Sequence, residues 1–177
     1  MMQIELLELV GLYSAVKAMR LPFKGSKHDS DVENLRFCCD WEEHIGPKDL
    51  KLLQNLIKVG DDHAKVMRGV IAYFEISAPR YMWVELDTYT VGVIPLCSES
   101  TMHNEGRGLT GKELQRIKSE IKEDYVQKRI RAFSYQTLRR MYFQRKSHRL
   151  PEWQDVCKMI ESLPLARELI LVKEVKK

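Results

Sequence analysis

The chain has 177 residues, 44% of them hydrophobic and 31% charged, enough to build the core of one compact unit (residues 1–177) and too short for two full ones. A net charge of +4 suits an anionic small ligand and is too weak to argue for DNA or RNA as partner. No apolar run approaches the ~20 residues of a membrane span, and Glu5 and Glu8 inside the opening "MMQIELLELV" argue against a signal peptide.

In chain order, "MQIELLELV" alternates as a first strand, and "LYSAVKAMR" follows as a helix stopped at Leu21-Pro22. The polar run Gly25 to Glu33 reads as a mobile surface loop, and Cys38-Cys39 with Trp41 as a short buried return. "GPKDLKLLQNLIKVG" has every mark of a helix. Pro47 stands in its first turn, Leu50, Leu53, Leu56 and Ile57 form one stripe, and Gly60 stops it. "GVIAYFEIS" is rich in β-branched and aromatic residues and predicts a strand. Ser77 is placed to cap a helix over Pro79–Tyr89 that ends before Gly92.

Val91 to Arg107 predicts a long irregular segment, a length that favours a functional loop. Thr110 and Glu113 form a capping box for a charged helix running to Ile130. The next helix carries Phe133, Leu138, Met141 and Tyr142 on one face, with Arg139, Arg140 and Arg145 among the rest. Pro151 opens a last helix that Pro164 closes. The plan is mixed α/β, with few strands and more helix.

Cys38, Cys39, Cys97 and Cys157 form no Cys-x-x-Cys pair and no zinc-type cluster. They read as reduced thiols of a cytoplasmic protein, and no metal is expected. His63, after "VGDD", has two readings: a group that positions a ligand's phosphate or base, or a helix-end cap. The segment Pro79–Tyr89 puts acidic residues beside large aromatics on both faces, which fits a subunit interface or a pocket wall. "CSEST" (97–101) offers hydroxyls suited to phosphate oxygens, or an ordinary turn. A serine hydrolase is excluded by the lack of Gly-x-Ser-x-Gly. Arg145 follows Leu138, Met141 and Tyr142 at the edge of their apolar face, a usual place for a carboxylate or phosphate clamp. Arg140, Lys146 and Arg149 read as a solvated charged face.

The order of "LIKVGDDHAKVMRGVIAYFEISAPRYMWVE", "LRRMYFQRKSHRLPEW" and "AVKAMRLP" resembles the flavin-dependent thymidylate synthase (ThyX) family over about residues 2–103 and 134–160. The resemblance implies an α/β (α+β) subunit with a small, mostly antiparallel sheet flanked by helices, assembled as a homotetramer with ligand sites between subunits. Aligned on Ala78-Pro79, Glu85 stands where the family has Gln. Thr88, Tyr89 and Thr90 stand at its flavin-associated Arg-His-Arg, and Val93 and Leu96 at its first serine and its glutamate. Ser98 falls at the serine beside the nucleotide, and Ser100 replaces the following arginine. Arg145 matches the late arginine that contacts the pyrimidine nucleotide, with His148 after it.

The resemblance therefore implies a nucleotide side made by Arg145, Ser98, Ser100, Glu85 and His148. Its cofactor side is Thr88, Tyr89, Thr90 and His63, where FAD would lie, with folate as methylene donor to a dUMP-like nucleotide. Tyr89 is a candidate to stack on an aromatic ligand. Replacement of the cationic triplet favours the other reading, a non-catalytic protein that binds or sequesters a nucleotide on the same scaffold. So modified a metabolic fold would suit a phage or mobile-element protein.

Overall fold

The computed structural model describes residues 2–37 and 40–173. The expected Cys38-Cys39 return lies outside them, although Trp41 beside it is 1% exposed. Strand β1 (Gln3–Val10) and helix α1 (Leu12–Arg20) lie where their patterns place them. Gly11 joins the two at φ 96, with the carbonyl oxygen of Gly69 so close that a Cβ would collide with it.

The run 25–33 is tethered, contrary to the expectation of a mobile loop. The Asp29 carboxylate accepts the backbone N–H groups of Lys48 (2.9 Å) and Asp49 (2.9 Å), and Asp49 in return accepts those of Asp29 and Ser30. Helices α2 (Val32–Phe37) and α3 (Trp41–His44) follow. In α4 (Pro47–Val59), Leu53 and Ile57 are fully buried and Leu50 and Leu56 partly so.

A 3-10 turn, Lys65–Gly69, leads into β2 (Ile71–Pro79). Its residues Ala72, Phe74, Ile76 and Ala78 face the core, while Ile71, Tyr73, Glu75 and Ser77 are half-buried on the opposite face. The strand absorbs the residue expected to cap the next helix, because Ser77 pairs with both Gln3 and Lys128. Helix α5 is therefore shorter than its sequence pattern, Arg80–Leu86, with Pro79 as its N-cap residue.

The segment expected to be irregular contains strand β3 (Val93–Ser98). Pro95 is tolerated there because the strand is an edge and its register shifts between Pro95 and Cys97. Helix α6 (Gly111–Glu120) ends ten residues short of Ile130. Thr110 holds the N-cap position, but its hydroxyl makes no capping hydrogen bond.

Residues expected to be helical instead form β4 (Val126–Ser134), which lies between β2 and β3 in an antiparallel sheet of order β1-β2-β4-β3. Phe133 thus belongs to the strand, its ring 6.1 Å from that of Phe74. The arginines that hid this strand share a carboxylate and an aromatic face rather than standing free in solvent. Arg129 and Arg131 both pair with Asp87, and their guanidinium groups lie 4.4 Å and 4.9 Å from the Trp83 ring centre.

Helix α7 (Tyr135–Arg145) starts where β4 ends. The Ser134 hydroxyl accepts the Thr137 N–H at 3.2 Å, and Tyr135 donates its N–H to Val70 O. Helix α8 (Pro151–Glu161) and a π-helical turn (Ala166–Ile170) close the core around Trp41, Tyr135 and Trp153. No helix among the described residues is long and apolar enough to cross a membrane.

Candidate functional site

The end of α5, the start of β3 and one face of α7 converge on Tyr89. Helix α5 stops at Leu86 and the chain turns through Asp87–Gly92 before β3. Gly92 is required in that turn. Its φ is 73, and a Cβ there would lie 2.4 Å from Thr137 Oγ1 and 2.5 Å from Ser134 Oγ. Thr137 Oγ1 donates to Val91 O at 2.7 Å, so the turn is fastened directly to the first turn of α7.

Tyr89 is 5% exposed, its ring edge-on to Trp153 with centres 5.8 Å apart. Its hydroxyl donates to Gln144 Oε1 at 2.8 Å and accepts Arg145 Nε–H at 3.0 Å. Arg145 also pairs with Glu85 through Nη1 at 3.3 Å and lies 4.7 Å from the Trp153 ring centre. Its guanidinium is thus fixed from three sides, and Nη2 makes no hydrogen bond among the described residues. His148 Nδ1 accepts the Leu150 N–H at 3.2 Å, which leaves the ring proton of the neutral imidazole on Nε2, and that ring packs 6.2 Å from Trp153.

Two cavities adjoin this cluster. One, of about 280 Å³, is lined by Thr88, Tyr89, Thr90, Gln144 and Arg145 together with Val91 and Arg140. The other, of about 340 Å³, shares Val91 and Arg140 and adds Asp61, Arg68, Gly92, Ser134, Gln136 and Thr137. Arg68 donates from Nε to Gln136 Oε1 at 2.8 Å, and Gln136 donates to Asp61 O at 3.3 Å.

Of the residues singled out by sequence, the structure gathers Glu85, Thr88, Tyr89, Thr90, Arg145 and His148 around the Tyr89–Trp153 pair. Ser98 and Ser100 line neither cavity. Ser98 pairs with Arg129 at the far end of β3, roughly 16 Å along the strand from Val93. The Ser100 hydroxyl accepts the His103 N–H in its own loop. His63 is exposed in the turn after α4, two residues beyond Asp61, and is not among the described lining residues of either cavity. No group of three or more His, Cys, Asp or Glu is placed to hold a metal among the described residues.

Sequence reasoning missed Arg140, Gln144, Trp153 and Arg68. Arg140 and Gln144 are one helical turn apart and so share a face of α7 beside Arg145, a spacing that could have joined them to the site.

No protein-family model matches the chain, and no curated protein sequence matches it. Solved structures do. Thymidylate Synthase X (ThyX) from Helicobacter pylori, with FAD and dUMP, superposes with a TM-score of 0.69 at 16% identity, covering 96% of this chain and 97% of that one. A second structure of the Helicobacter pylori enzyme, complexed with FAD and dUMP, gives 0.72 at 15% identity over 97% and 100%. A UMP/dUMP methylase, PolB from Streptomyces cacaoi, bound with 5-Br dUMP, gives 0.63 at 13% identity over 98% and 96%. At these identities the likeness is one of architecture: the chain has the fold of the flavin-dependent thymidylate synthases.

Proposed function

We propose that the chain binds a pyrimidine nucleotide of the dUMP type in the cleft between the end of α5, α7 and the start of α8. The observation that carries this reading is Arg145. A guanidinium locked by Glu85 and Tyr89 and backed by Trp153 is pre-oriented, so ordering it costs a ligand little. Its Nη2 is the donor left for the nucleotide. Thr88 and Thr90, exposed at the mouth of the smaller cavity, offer hydroxyls, and His148 offers Nε2–H. Ser98 and Ser100, which line neither cavity, would join such a site from another protomer. The homotetramer implied by the family resemblance, with the exposed edge of β3 reaching a neighbour's cleft, is part of the proposal. So is a cytoplasmic location, in keeping with free Cys97 and Cys157.

The larger cavity fits the phosphate portion of a flavin dinucleotide. Arg68 and Arg140 supply positive charge, and the bare backbone at Gly92 allows close approach. A flavin held there would supply hydride chemistry, with a folate as methylene donor, for conversion of a uridylate to a thymidylate. The chain's own residues would orient the nucleotide through Arg145 and hold the cofactor's phosphates through Arg68.

A second reading, nucleotide binding without turnover, is favoured by the 88–90 segment. It carries no cation; Thr88 Oγ1 is turned back onto Glu85 O at 2.7 Å, and the Tyr89 ring is buried rather than presented to a ligand.

Two measurements on the purified protein separate these readings. Flavin absorption together with a thermal shift on adding dUMP supports the enzyme. A shift with dUMP and indifference to flavin supports the binder. A saturating ligand at one hundred times its dissociation constant adds about 2.7 kcal/mol, so absence of any shift with pyrimidine nucleotides overturns both.

A further inference from the structure

Arg140 differs from the other arginines of its helix and its cavity. Arg139 donates to the carbonyls of Ile170 and Val172, Arg145 is committed to Glu85 and Tyr89, and Arg68 donates to Gln136. Arg140 is half-buried, and among the described residues its guanidinium makes neither a hydrogen bond nor an ion pair. Its described partner is the Tyr89 ring, with the guanidinium carbon 5.8 Å from the ring centre. It also lines both cavities, which meet at Arg140 and Val91.

A guanidinium withdrawn from water without a counter-charge is costly, and an anion brought by a ligand offsets that cost. Arg145 is in the opposite condition. The Glu85 carboxylate already answers its charge, and an incoming phosphate dianion at that spot would meet Glu85 as a like charge. The carboxylate of Asp61, in the larger cavity, makes no ion pair with Arg140.

We propose that Arg140, not Arg145, anchors the negatively charged group of the ligand. Glu85 reserves Arg145 for an uncharged polar edge such as a carbonyl. The ligand class is a phosphate monoester or diphosphate whose uncharged part lies against Tyr89, Gln144 and Arg145. The choice of a nucleoside as that uncharged part rests on the function proposed above; the anion anchor does not.

The test is calorimetric titration with three probes, inorganic pyrophosphate, dUMP and deoxyuridine, against wild type, Arg140→Gln, Arg140→Lys and Arg145→Gln. Arg140→Gln is expected to weaken pyrophosphate and dUMP by about tenfold or more and to leave deoxyuridine unchanged. Arg140→Lys keeps the charge and should hold most of the pyrophosphate affinity, which separates loss of the anchor from loss of the fold. Arg145→Gln should weaken dUMP and deoxyuridine by the same factor and spare pyrophosphate.

The anchor is overturned if Arg145→Gln abolishes pyrophosphate binding while Arg140→Gln does not, if Arg140→Gln binds dUMP like wild type, or if wild type binds neither anion. Arg140-dependent pyrophosphate binding with no added affinity for dUMP upholds the anchor and removes the nucleotide.

Discussion

Asp49 has no exposed surface and holds four donors: the Arg20 guanidinium, the Ser30 hydroxyl, and the backbone N–H groups of Asp29 and Ser30. Burial works against its charged form. The hydrogen bonds from Ser30, Arg20 and the backbone outweigh that, and its pKa lies below the ordinary 3.8. Asp49→Ala strands a partly buried guanidinium and two amides, and is expected to cost about 3 kcal/mol in urea denaturation. The contribution of a carboxylate with a depressed folded pKa is complete above its unfolded value and is lost as pH falls through the folded one. The stability gap between wild type and Asp49→Asn should therefore close progressively as pH drops below about 4. In sequence Asp49 is an unremarked acid in the first turn of α4; its partners lie 19 to 29 residues away, and no local spacing announces them. Arg145 was legible because it borders an apolar stripe of its own helix.

The turn from α5 into β3 sets the shape of the cleft, and Gly92 controls it. Gly92→Ala combines a positive φ with a collision against Ser134 and Thr137, the residues that start α7. It should cost about 2 kcal/mol or more and weaken ligand binding in parallel. Gly25→Ala, at φ 81 with open space around it, is the control, and should cost about 1 kcal/mol with binding intact. Denaturant midpoints for the two variants decide whether close approach, beyond φ alone, defines the turn. Elements whose burial pattern is local, such as α1 and α4, were readable from periodicity. Strand β4 was not. Its arginines pack on Trp83 and pair with Asp87, more than 40 residues earlier, so the pattern of a central strand is overwritten by cations that look solvent-bound. Ser77 failed as a cap for a related reason: pairing on both sides of β2 extends the strand past the local helix signal.

At the scale of the whole molecule, the antiparallel sheet carries the core on one face, and the cleft forms where β3 begins and β4 hands over to α7. The sequence resemblance and the structural likeness agree on this architecture, and within it Arg145 contacts both Tyr89 and Glu85. Ser98 and Ser100 line neither of the two cavities beside that cluster. In the proposed function a pyrimidine nucleotide is recognised through a pre-set Arg145. Calorimetric titration of dUMP into the wild-type protein and into Arg145→Ala tests it most directly. Saturable binding to wild type and a loss of about tenfold or more in the variant are expected. Absence of binding heat in the wild type, or equal affinity in the two proteins, would contradict it.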